Sequence, residues 1–472
     1  MKVLLALPPD THNLEIYRVL GANAPPLGLA YIAGVLEKAG YSVRIVDSPT
    51  LKLDQERFIG IVKEFKPDII GFSLLTPLAP KGYEIAHKLK ELFPETILVA
   101  GGQHPTFMYS EALSHGFDIV VRFEGEYTML ELVKTIERYG YPSTEALKGV
   151  KGIAFRDREG NIIVTDNREP IHNLDELPFP ARHLLPMDKY TVFGKSVPVA
   201  HIMASRGCPY GCIFCSTSYF WGRRIRIRSV ANVADEIEHV VSKYKAKYIV
   251  FTDDELTWSK KWVSDLIDEL KKRGLDIQFT CGARVDHLQG FDFLKKLVDG
   301  GCIGLFVGVE SASQNTLNLI GKKITVEQAE KFFENVKKLE QQYKESIDVV
   351  GSFVIGFPWE TVDDMKKTID FAVKLDPTYA QFTIATPYPG TPLYDYAVKH
   401  NLIIDWNWEH YTTLRAVMKG LYTDAKTLEK LLREAYRRFY VRAKYLLREA
   451  RKGRLFMVLP TIIRSIISWL FG

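Results

Sequence analysis

The sequence predicts an α/β protein with two parallel sheets, in which a Rossmann-like domain is followed by a partial (β/α)6 TIM barrel and a C-terminal helical region. Two observations predict this class. Short apolar runs alternate with segments of helical apolar spacing, which is typical of parallel sheets covered by helices on both faces. The alternation occurs twice, with a proline-rich stretch between the two runs. We therefore predict domains at 1–145 and 196–395, a connector at 146–195 and the helical region at 396–472.

The first alternating run contains five predicted strands, "KVLLAL", "SVRIVD", "DIIGFSLL", "TILVAGG" and "DIVVRFEGE". Ligands of such sheets bind beyond the carboxyl ends of the strands. Small or polar residues follow three of these ends, namely Ser73, Thr76, Gly101, Gly102, His104 and Glu124. Together they predict a flat, sizeable ligand, and the alternative for any single glycine is that it only turns the chain.

The connector contains a predicted hairpin, "GIAFRDREGNIIVTDN", with Glu159 and Gly160 at its turn. The second run follows with six predicted strands, "VAHIMAS", "YIVFTDD", "QFTCGAR", "GLFVGVES", "DVVGSFVIGF" and "YAQFTIATPYP". Six units are too few for a closed eight-unit barrel, so we predict a partial one. In barrels of this type the chemistry lies at the carboxyl ends of the strands.

The composition is that of a globular protein, with 46% hydrophobic and 25% charged residues. The net charge of +5 is small for 472 residues and does not indicate a nucleic-acid partner. The first residues, "MKVLLALPPD", form too short an apolar run for a secretory signal. We therefore expect a cytoplasmic protein whose five cysteines are thiols or metal ligands rather than disulfides.

Three cysteines, Cys208, Cys212 and Cys215, lie within eight positions. Structural zinc takes four protein ligands, and no fourth cysteine or histidine lies nearby in the sequence. Three thiolates on an iron–sulfur cube leave one iron open to another ligand, and this is the use that we predict. Zinc is the alternative. Cys281 and Cys302 fall on or before later strands, where we expect them only to pack.

The motif C-x3-C-x2-C, with Phe214 before its last cysteine, resembles that of the radical S-adenosylmethionine (SAM) enzymes. The resemblance covers residues 196–395 and includes "FTDDELT", "CGARVD", "VGVESASQNTL", "GSFVIGFPWET" and "TPYPGTPLY". It implies a [4Fe–4S] cluster whose open iron binds SAM, and cleavage of SAM to a 5′-deoxyadenosyl radical that abstracts hydrogen from a substrate. It also implies an electron donor such as ferredoxin or flavodoxin. The SAM contacts that it implies are Phe214, Asp253, Asp254, Arg284, Glu310, Ile355 and Gly356.

The first domain resembles the cobalamin-binding domain of one branch of these enzymes, through "PPLGLAYIAGVLEKAGYSVRIVD", "GGQHPT" and "FEGE". That branch includes Mg-protoporphyrin ester cyclases, hopanoid methylases, archaeal tetraether ring synthases and methyltransferases. His12 lacks the later glycine of the D-x-H-x-x-G motif, so we predict no protein histidine in the lower axial position of cobalamin. The cobalamin contacts that the resemblance implies are Leu27, Ser73, Thr76, Gly101, Gly102, His104 and Glu124.

Three other protein classes share parts of this pattern. A cobalamin-binding sensor would not need three cysteines, and a zinc-bearing interaction protein would be colourless whereas an iron–sulfur enzyme is brown. A methylthiotransferase needs a second cluster held by its first domain, and no cysteine precedes Cys208. We therefore predict an enzyme that is either a methyltransferase or a cyclase.

The C-terminus predicts where the enzyme acts. Residues 431–454 carry nine Lys or Arg and two Glu, and "LFMVLPTIIRSIISWLFG" follows them. An amphipathic helix at 455–472 beside this basic segment suits an anionic membrane surface. The alternative is a helix packed on protein, and Arg464 disfavours a membrane span. The membrane interpretation predicts a lipid or isoprenoid substrate at the inner membrane face, and the alternatives are a soluble metabolite or a tetrapyrrole.

Overall fold

The computed structural model of the protein describes residues 1–9, 24–141, 143–191, 198–343 and 347–454. His12 and the tail at 455–472 lie outside these residues, so what we predict for them stays a prediction. Within the described ranges, no helix is both long enough and apolar enough to cross a bilayer.

The N-terminal sheet has seven strands. They are β1 (Lys2–Leu7), β2 (Ser42–Asp47), β3 (Ile69–Ser73), β4 (Ile97–Gly101), β5 (Ile119–Val121), β6 (Ile153–Arg156) and β7 (Ile162–Val164). Their order is β2-β1-β3-β4-β5-β6-β7, with parallel pairing from β2 to β5 and antiparallel pairing of β6 with β5 and β7. The predicted connector hairpin is β6–β7, which extends this sheet. The domain boundaries stay a prediction.

Helices cover both faces of the N-terminal sheet. They are α1 (Leu27–Lys38), α2 (Ser48–Leu51), α3 (Gln55–Phe65), α4 (Ala79–Leu92), α5 (Gln103–Phe107), α6 (Tyr109–Ser114), α7 (Glu126–Tyr139) and α8 (Thr144–Lys148). Leu5 is buried in one apolar core and the adjacent Leu4 in another. Burial on both faces explains why the strands of this sheet read as continuous apolar runs.

The second sheet is the predicted partial barrel. Its region contains β8 (Val199–Ile202), β9 (Ser205–Arg206), β10 (Arg226–Ile227), β11 (Tyr248–Phe251), β12 (Gln278–Arg284), β13 (Cys302–Glu310), β14 (Asp348–Ile355) and β15 (Tyr379–Ile384). Six of these strands form a parallel sheet in the order β8-β11-β12-β13-β14-β15, and β9 pairs with β10 in a separate antiparallel ribbon. The carboxyl ends of all six strands therefore meet at one edge.

The helices of this region lie between the strands and after them. They are α9 (Thr217–Phe220), α10 (Val230–Tyr244), α11 (Lys260–Lys272), α12 (Phe291–Asp299), α13 (Gln314–Leu319), α14 (Val326–Gln342), α15 (Val362–Leu375), α16 (Pro392–Lys399), α17 (Ala425–Tyr440) and α18 (Ala443–Arg451). Thr325 and Thr361 begin α14 and α15 with complete capping boxes, which satisfy free backbone amides at these ends.

The last strand of the partial barrel has one side without a strand partner, and α17 covers that side. Tyr440 OH accepts a hydrogen bond from Ala380 N at 3.0 Å and donates one to Ala380 O at 2.9 Å. Tyr436 OH makes the same pair of bonds with Phe382, at 3.3 and 3.0 Å. The two tyrosines thus satisfy the backbone groups of Ala380 and Phe382 that face away from β14. The predicted C-terminal helical region therefore completes the barrel.

The segment after α16 joins the barrel to the N-terminal domain. Trp408 Nε1 donates to Glu111 Oε1 at 2.7 Å, and the Trp408 ring lies against His104 at 5.1 Å between ring centroids. Trp408 is buried with Tyr411 and Val417 in a small apolar cluster. These contacts join the segment after α16 to α5 and α6 of the N-terminal domain.

Candidate functional site

The three predicted cluster ligands lie in one loop, residues 207–225, which joins β9 to β10 and is called the cysteine loop below. The loop begins with a close backbone approach, because a Cβ atom at Gly207 (φ +95°) would lie 2.2 Å from the Arg224 carbonyl oxygen. The Ser218 hydroxyl donates to Cys208 O at 2.9 Å. The loop therefore folds back on its own first cysteine.

The surroundings of the thiols suit metal ligation. Cys212 is buried, and Cys208 and Cys215 are half-buried. Burial raises the pKa of Cys212 to about 11, and the nearby Lys322 charge partly offsets this rise. In the described part of the chain, no three His, Cys, Asp or Glu side chains converge on a single metal ion. An iron–sulfur cube differs, since each thiolate binds its own iron, and three thiols beside a cation fit such a cluster.

Two acids after β11 bind the cysteine loop and the strand that leads to it. Asp253 Oδ1 accepts a hydrogen bond from Ser205 Oγ at 2.5 Å, and Asp253 Oδ2 accepts one from Ala204 N at 3.0 Å. Asp254 Oδ1 accepts from Thr217 Oγ1 at 2.8 Å. Burial raises the pKa of Asp253 to about 6. Asp253 thus holds the strand that leads to the cysteine loop, and Asp254 holds the loop itself. Their roles toward SAM stay predictions.

The ends of β12 and β13 bring Arg284 and Glu310 together through Lys322. Lys322 Nζ donates to Glu310 Oε1 at 2.6 Å, and Arg284 Nη2 donates to the Lys322 carbonyl oxygen at 2.7 Å. All three residues are buried. Glu310 has φ +66°, at a register shift between β13 and β14, which is uncommon for a residue other than glycine. Cys212 Sγ lies 3.8 Å from Gly321 O, so this polar group adjoins the cysteine loop.

The end of β14 meets the cysteine loop from the other side. Ile355 is completely buried, and the backbone N–H groups of Gly356 and Phe357 donate to Glu360 Oε2 at 2.9 and 3.1 Å. Burial raises the pKa of Glu360 to about 7, although these two bonds oppose the rise. The Phe214 ring lies 5.6 Å from the Phe357 ring, measured between centroids. The predicted SAM contacts of the loop and of β14 are therefore neighbours.

A cavity opens at the carboxyl edge of the N-terminal sheet. Four of the predicted cobalamin contacts line it, namely Ser73, Gly101, Gly102 and Glu124. Phe220 and Trp221 of the cysteine loop also line it. The cavity therefore lies between the two domains rather than within one of them.

The other three predicted cobalamin contacts, Leu27, Thr76 and His104, are not part of the lining of this cavity. His104 Nδ1 lies 3.3 Å from Thr76 Oγ1, and His104 Nε2 lies 3.0 Å from Tyr83 OH. Burial lowers the pKa of His104 to about 3, so the imidazole is neutral near pH 7. The cobalamin roles of all seven residues stay predictions.

Sequence analysis did not select a polar chain at the mouth of the barrel. Glu255 Oε2 lies 3.0 Å from His287 Nδ1, and His287 Nε2 lies 2.5 Å from Tyr210 OH. The Arg284 guanidinium lies 3.4 Å from the centroid of the Tyr210 ring. Glu255 and His287 lie in the segments that follow β11 and β12, within four residues of the strand ends, which is the signal that could have identified them. Lys322 and Glu360 were missed as well.

Comparison with known proteins identifies the family. Residues 16–133 match the model of the B12 binding domain, and residues 202–372 match that of the Radical SAM superfamily. An uncharacterised methyltransferase of Pyrococcus horikoshii is 40% identical over 95% of this chain and 94% of its own length. The chain belongs to the cobalamin-dependent radical SAM enzymes. An anaerobic magnesium-protoporphyrin IX monomethyl ester cyclase of Rubrivivax gelatinosus is 31% identical over 90% of this chain and 76% of its own length.

The fold of this cobalamin-dependent radical SAM enzyme is similar to that of a solved relative. The structure of the cobalamin-dependent SAM radical enzyme OxsB, with aqua-cobalamin and SAM bound, gives a TM-score of 0.74 at 19% identity, over 93% of this chain and 66% of that chain. The predicted fold class and enzyme class are confirmed. So are the predicted cofactors, a [4Fe–4S] cluster, SAM and cobalamin. The zinc-protein and sensor alternatives do not agree with this membership.

Proposed function

We propose that this cobalamin-dependent radical SAM enzyme transfers a methyl group to a carbon atom of an apolar substrate of the lipid or isoprenoid type. One observation carries the proposal. The cavity at the N-terminal sheet is also lined by Phe220 and Trp221, which follow the cysteine motif by five and six residues. The residues proposed for cobalamin therefore share one cavity with the end of the cysteine loop. This supports placing both cofactors near a single bound substrate.

Different residues at the mouth of the barrel would bind the cluster and the two parts of SAM. When bound, the cluster with SAM supplies a carbon-centred radical that removes a hydrogen atom from the substrate, and cobalamin supplies a methyl carrier. Cys208, Cys212 and Cys215 would hold the cluster. The buried polar group of Arg284, Glu310 and Lys322 suits the charged amino-acid part of SAM, because its charges are already paired and fixed before SAM arrives. The end of β14 at Ile355 and Gly356, with Phe214, suits the adenine.

An apolar substrate agrees with the composition of the cavity wall. Leu29, Ile32 and Phe123 line the cavity together with Phe220 and Trp221. Leu75, which also lines it, keeps 42% of its surface exposed. The two carboxylates of the wall, Glu124 and Glu126, are already paired with arginines. The wall therefore favours a hydrocarbon over a highly charged metabolite, because apolar contact gains free energy in proportion to the area removed from water.

We further propose that the enzyme lies at the inner face of the membrane and takes electrons from a ferredoxin or a flavodoxin. On α18, Leu447 is 59% exposed, and Lys444, whose ammonium group pairs with Asp376 Oδ2 at 3.1 Å, is exposed one turn before it. Deletion of residues 455–472 should release the protein from anionic liposomes and leave SAM cleavage unchanged. If the full-length protein fails to bind such liposomes at low salt, the membrane location is wrong.

Ring formation is a second candidate, since a cyclase is 31% identical to this chain. The two reactions differ in the fate of the SAM methyl group. The reconstituted enzyme should be incubated anaerobically with SAM that carries a CD3 group and with isoprenoid lipids, with Mg-protoporphyrin monomethyl ester, or with water-soluble metabolites. We expect a lipid that has exchanged one hydrogen for CD3, together with S-adenosylhomocysteine. A product that has lost hydrogen without gaining label would show ring formation, and label in one of the other two pools would contradict the lipid proposal.

A further inference from the structure

The cysteine loop begins and ends at two buried arginines. Arg206 in β9 and Arg226 in β10 are directly paired across the antiparallel ribbon, and they are 1% and 9% exposed. Two guanidinium groups held this close together repel each other. Because both are buried, the ribbon is stable only with acidic partners at the same place.

Both acidic partners come from the other domain. Glu124 Oε1 accepts a hydrogen bond from Arg206 Nη1 at 3.0 Å and another from Arg226 Nη1 at 2.7 Å. Glu126 Oε1 accepts a bond from Arg206 Nη2 at 2.6 Å. Two carboxylates thus balance two guanidinium groups, and the N-terminal domain neutralises both ends of the cysteine loop. The remaining oxygen of Glu124 accepts from Ile171 N at 2.7 Å.

The same two carboxylates belong to the cavity wall. Glu124 and Glu126 line the cavity beside Trp221 of the cysteine loop. Arg206 lies 4.9 Å from the centroid of the Trp221 indole ring, and Arg226 Nη2 donates to Trp221 O at 3.0 Å. A ligand in the cavity therefore touches the residues that fix the ends of the cysteine loop.

We propose that Glu124 and Glu126 are positioning residues for the cysteine loop, and that a ligand in the cavity steadies the loop through them. Both oxygens of Glu124 are bonded within the protein, so Glu124 acts on the cluster site through Arg206 and Arg226. The inference rests on the proposed cluster ligands. Retention of the cluster would then depend on the N-terminal domain, although that domain supplies none of the three cysteine ligands.

The experiment compares three variants, Glu124→Gln, Glu126→Gln and Glu236→Gln. Glutamine keeps the size and one acceptor of the side chain and removes its charge. Glu236 is the matched control, because it is also buried and is bound by two arginines, Arg182 and Arg228, yet it bonds neither of the arginines that flank the cysteine loop. Each reconstituted protein is mixed anaerobically with an iron chelator, with and without hydroxocobalamin, and iron release is timed. Thermal midpoints of the iron-free proteins report the general loss of stability.

Glu124→Gln and Glu126→Gln should release iron about tenfold faster than the wild type, as expected when residues that support metal ligands are removed. Glu236→Gln should release iron at the wild-type rate even if its thermal midpoint falls as far. Hydroxocobalamin should slow iron release in the wild type and not in Glu124→Gln, because the coupling is reciprocal. If Glu124→Gln does not fold, Glu126→Gln, which breaks only the bond to Arg206, decides the question.

The inference would be overturned if iron release became faster in all three variants in step with the fall of their thermal midpoints. The faster release would then be a general effect of losing a buried ion pair. A wild-type protein that takes up no iron–sulfur cluster would instead overturn the proposed ligands Cys208, Cys212 and Cys215, and this inference with them.

Discussion

Lys322 Nζ donates a hydrogen bond to Glu310 Oε1 at 2.6 Å, and neither side chain is more than 10% exposed. The pair lies where β13 ends, beside the cysteine loop. A buried carboxylate of this kind needs its cation, since removing one member of a buried ion pair leaves the other charge without compensation.

Lys322→Met should therefore destabilise the iron-free protein by about 3–5 kcal/mol, because it leaves the Glu310 carboxylate buried and unpaired. The adjacent Lys323 is exposed, so Lys323→Met is a matched control that should stay within about 0.5 kcal/mol of the wild type. Urea unfolding of both variants measures the difference. Equal effects of the two substitutions would show that the ion pair contributes nothing to stability.

Glu360 predicts a pH dependence. Burial raises the pKa of its carboxyl from 4.5 to about 7, so the folded protein keeps the proton on Glu360 between these pH values while the unfolded chain loses it. Stability from this group is thus full below pH 4.5 and falls as the pH rises to about 7, by about 3 kcal/mol in all.

Glu360→Gln should remove this dependence, because an amide resembles the protonated acid and still accepts from the backbone N–H groups of Gly356 and Phe357. The measurement is the free energy of unfolding of the iron-free protein at several pH values from 4.5 to 8. We expect the wild type to lose stability relative to Glu360→Gln across this window. Parallel curves for the two proteins would contradict the raised pKa.

Gly102 tests the cobalamin site. It lines the cavity with φ +94°, and a Cβ atom there would lie 3.0 Å from the Leu74 backbone. Gly102→Ala should weaken binding of hydroxocobalamin, because the backbone must shift at the cavity wall. Gly40 also has a positive φ, +90°, with open space around it, so Gly40→Ala strains the backbone at a second position without touching the cavity. Retention of hydroxocobalamin after desalting is the readout, and equal retention in both variants would place the ligand elsewhere.

The fold could be predicted from the sequence because its signals are local. Strands such as β1 and β14 are apolar on both faces and are separated by helices, which leaves few alternatives to two parallel sheets. The sequence also predicts the hairpin β6–β7, but it does not show which strand this hairpin pairs with. Pairing with β5 depends on which edge of the sheet is free, and no local pattern shows this.

The cysteine motif could be predicted for the same reason, since Cys208, Cys212 and Cys215 lie within eight positions. The contacts that support them could not. Arg206 and Glu124 are 82 positions apart, and either charge read alone looks like a solvated surface residue. Glu124 was selected for its place after a strand, and only the structure shows that both of its oxygens are bonded within the protein.

The ligation of the cluster by Cys208, Cys212 and Cys215 is the central claim, and SAM cleavage tests it most directly. The wild type, reconstituted anaerobically with iron and sulfide and then reduced, should convert SAM to 5′-deoxyadenosine. The triple variant Cys208→Ala/Cys212→Ala/Cys215→Ala should form none and should lack iron–sulfur absorbance. Cys281→Ala/Cys302→Ala, which removes the two thiols buried in the barrel core, should keep both properties. Iron–sulfur absorbance or 5′-deoxyadenosine in the triple variant would contradict the assignment.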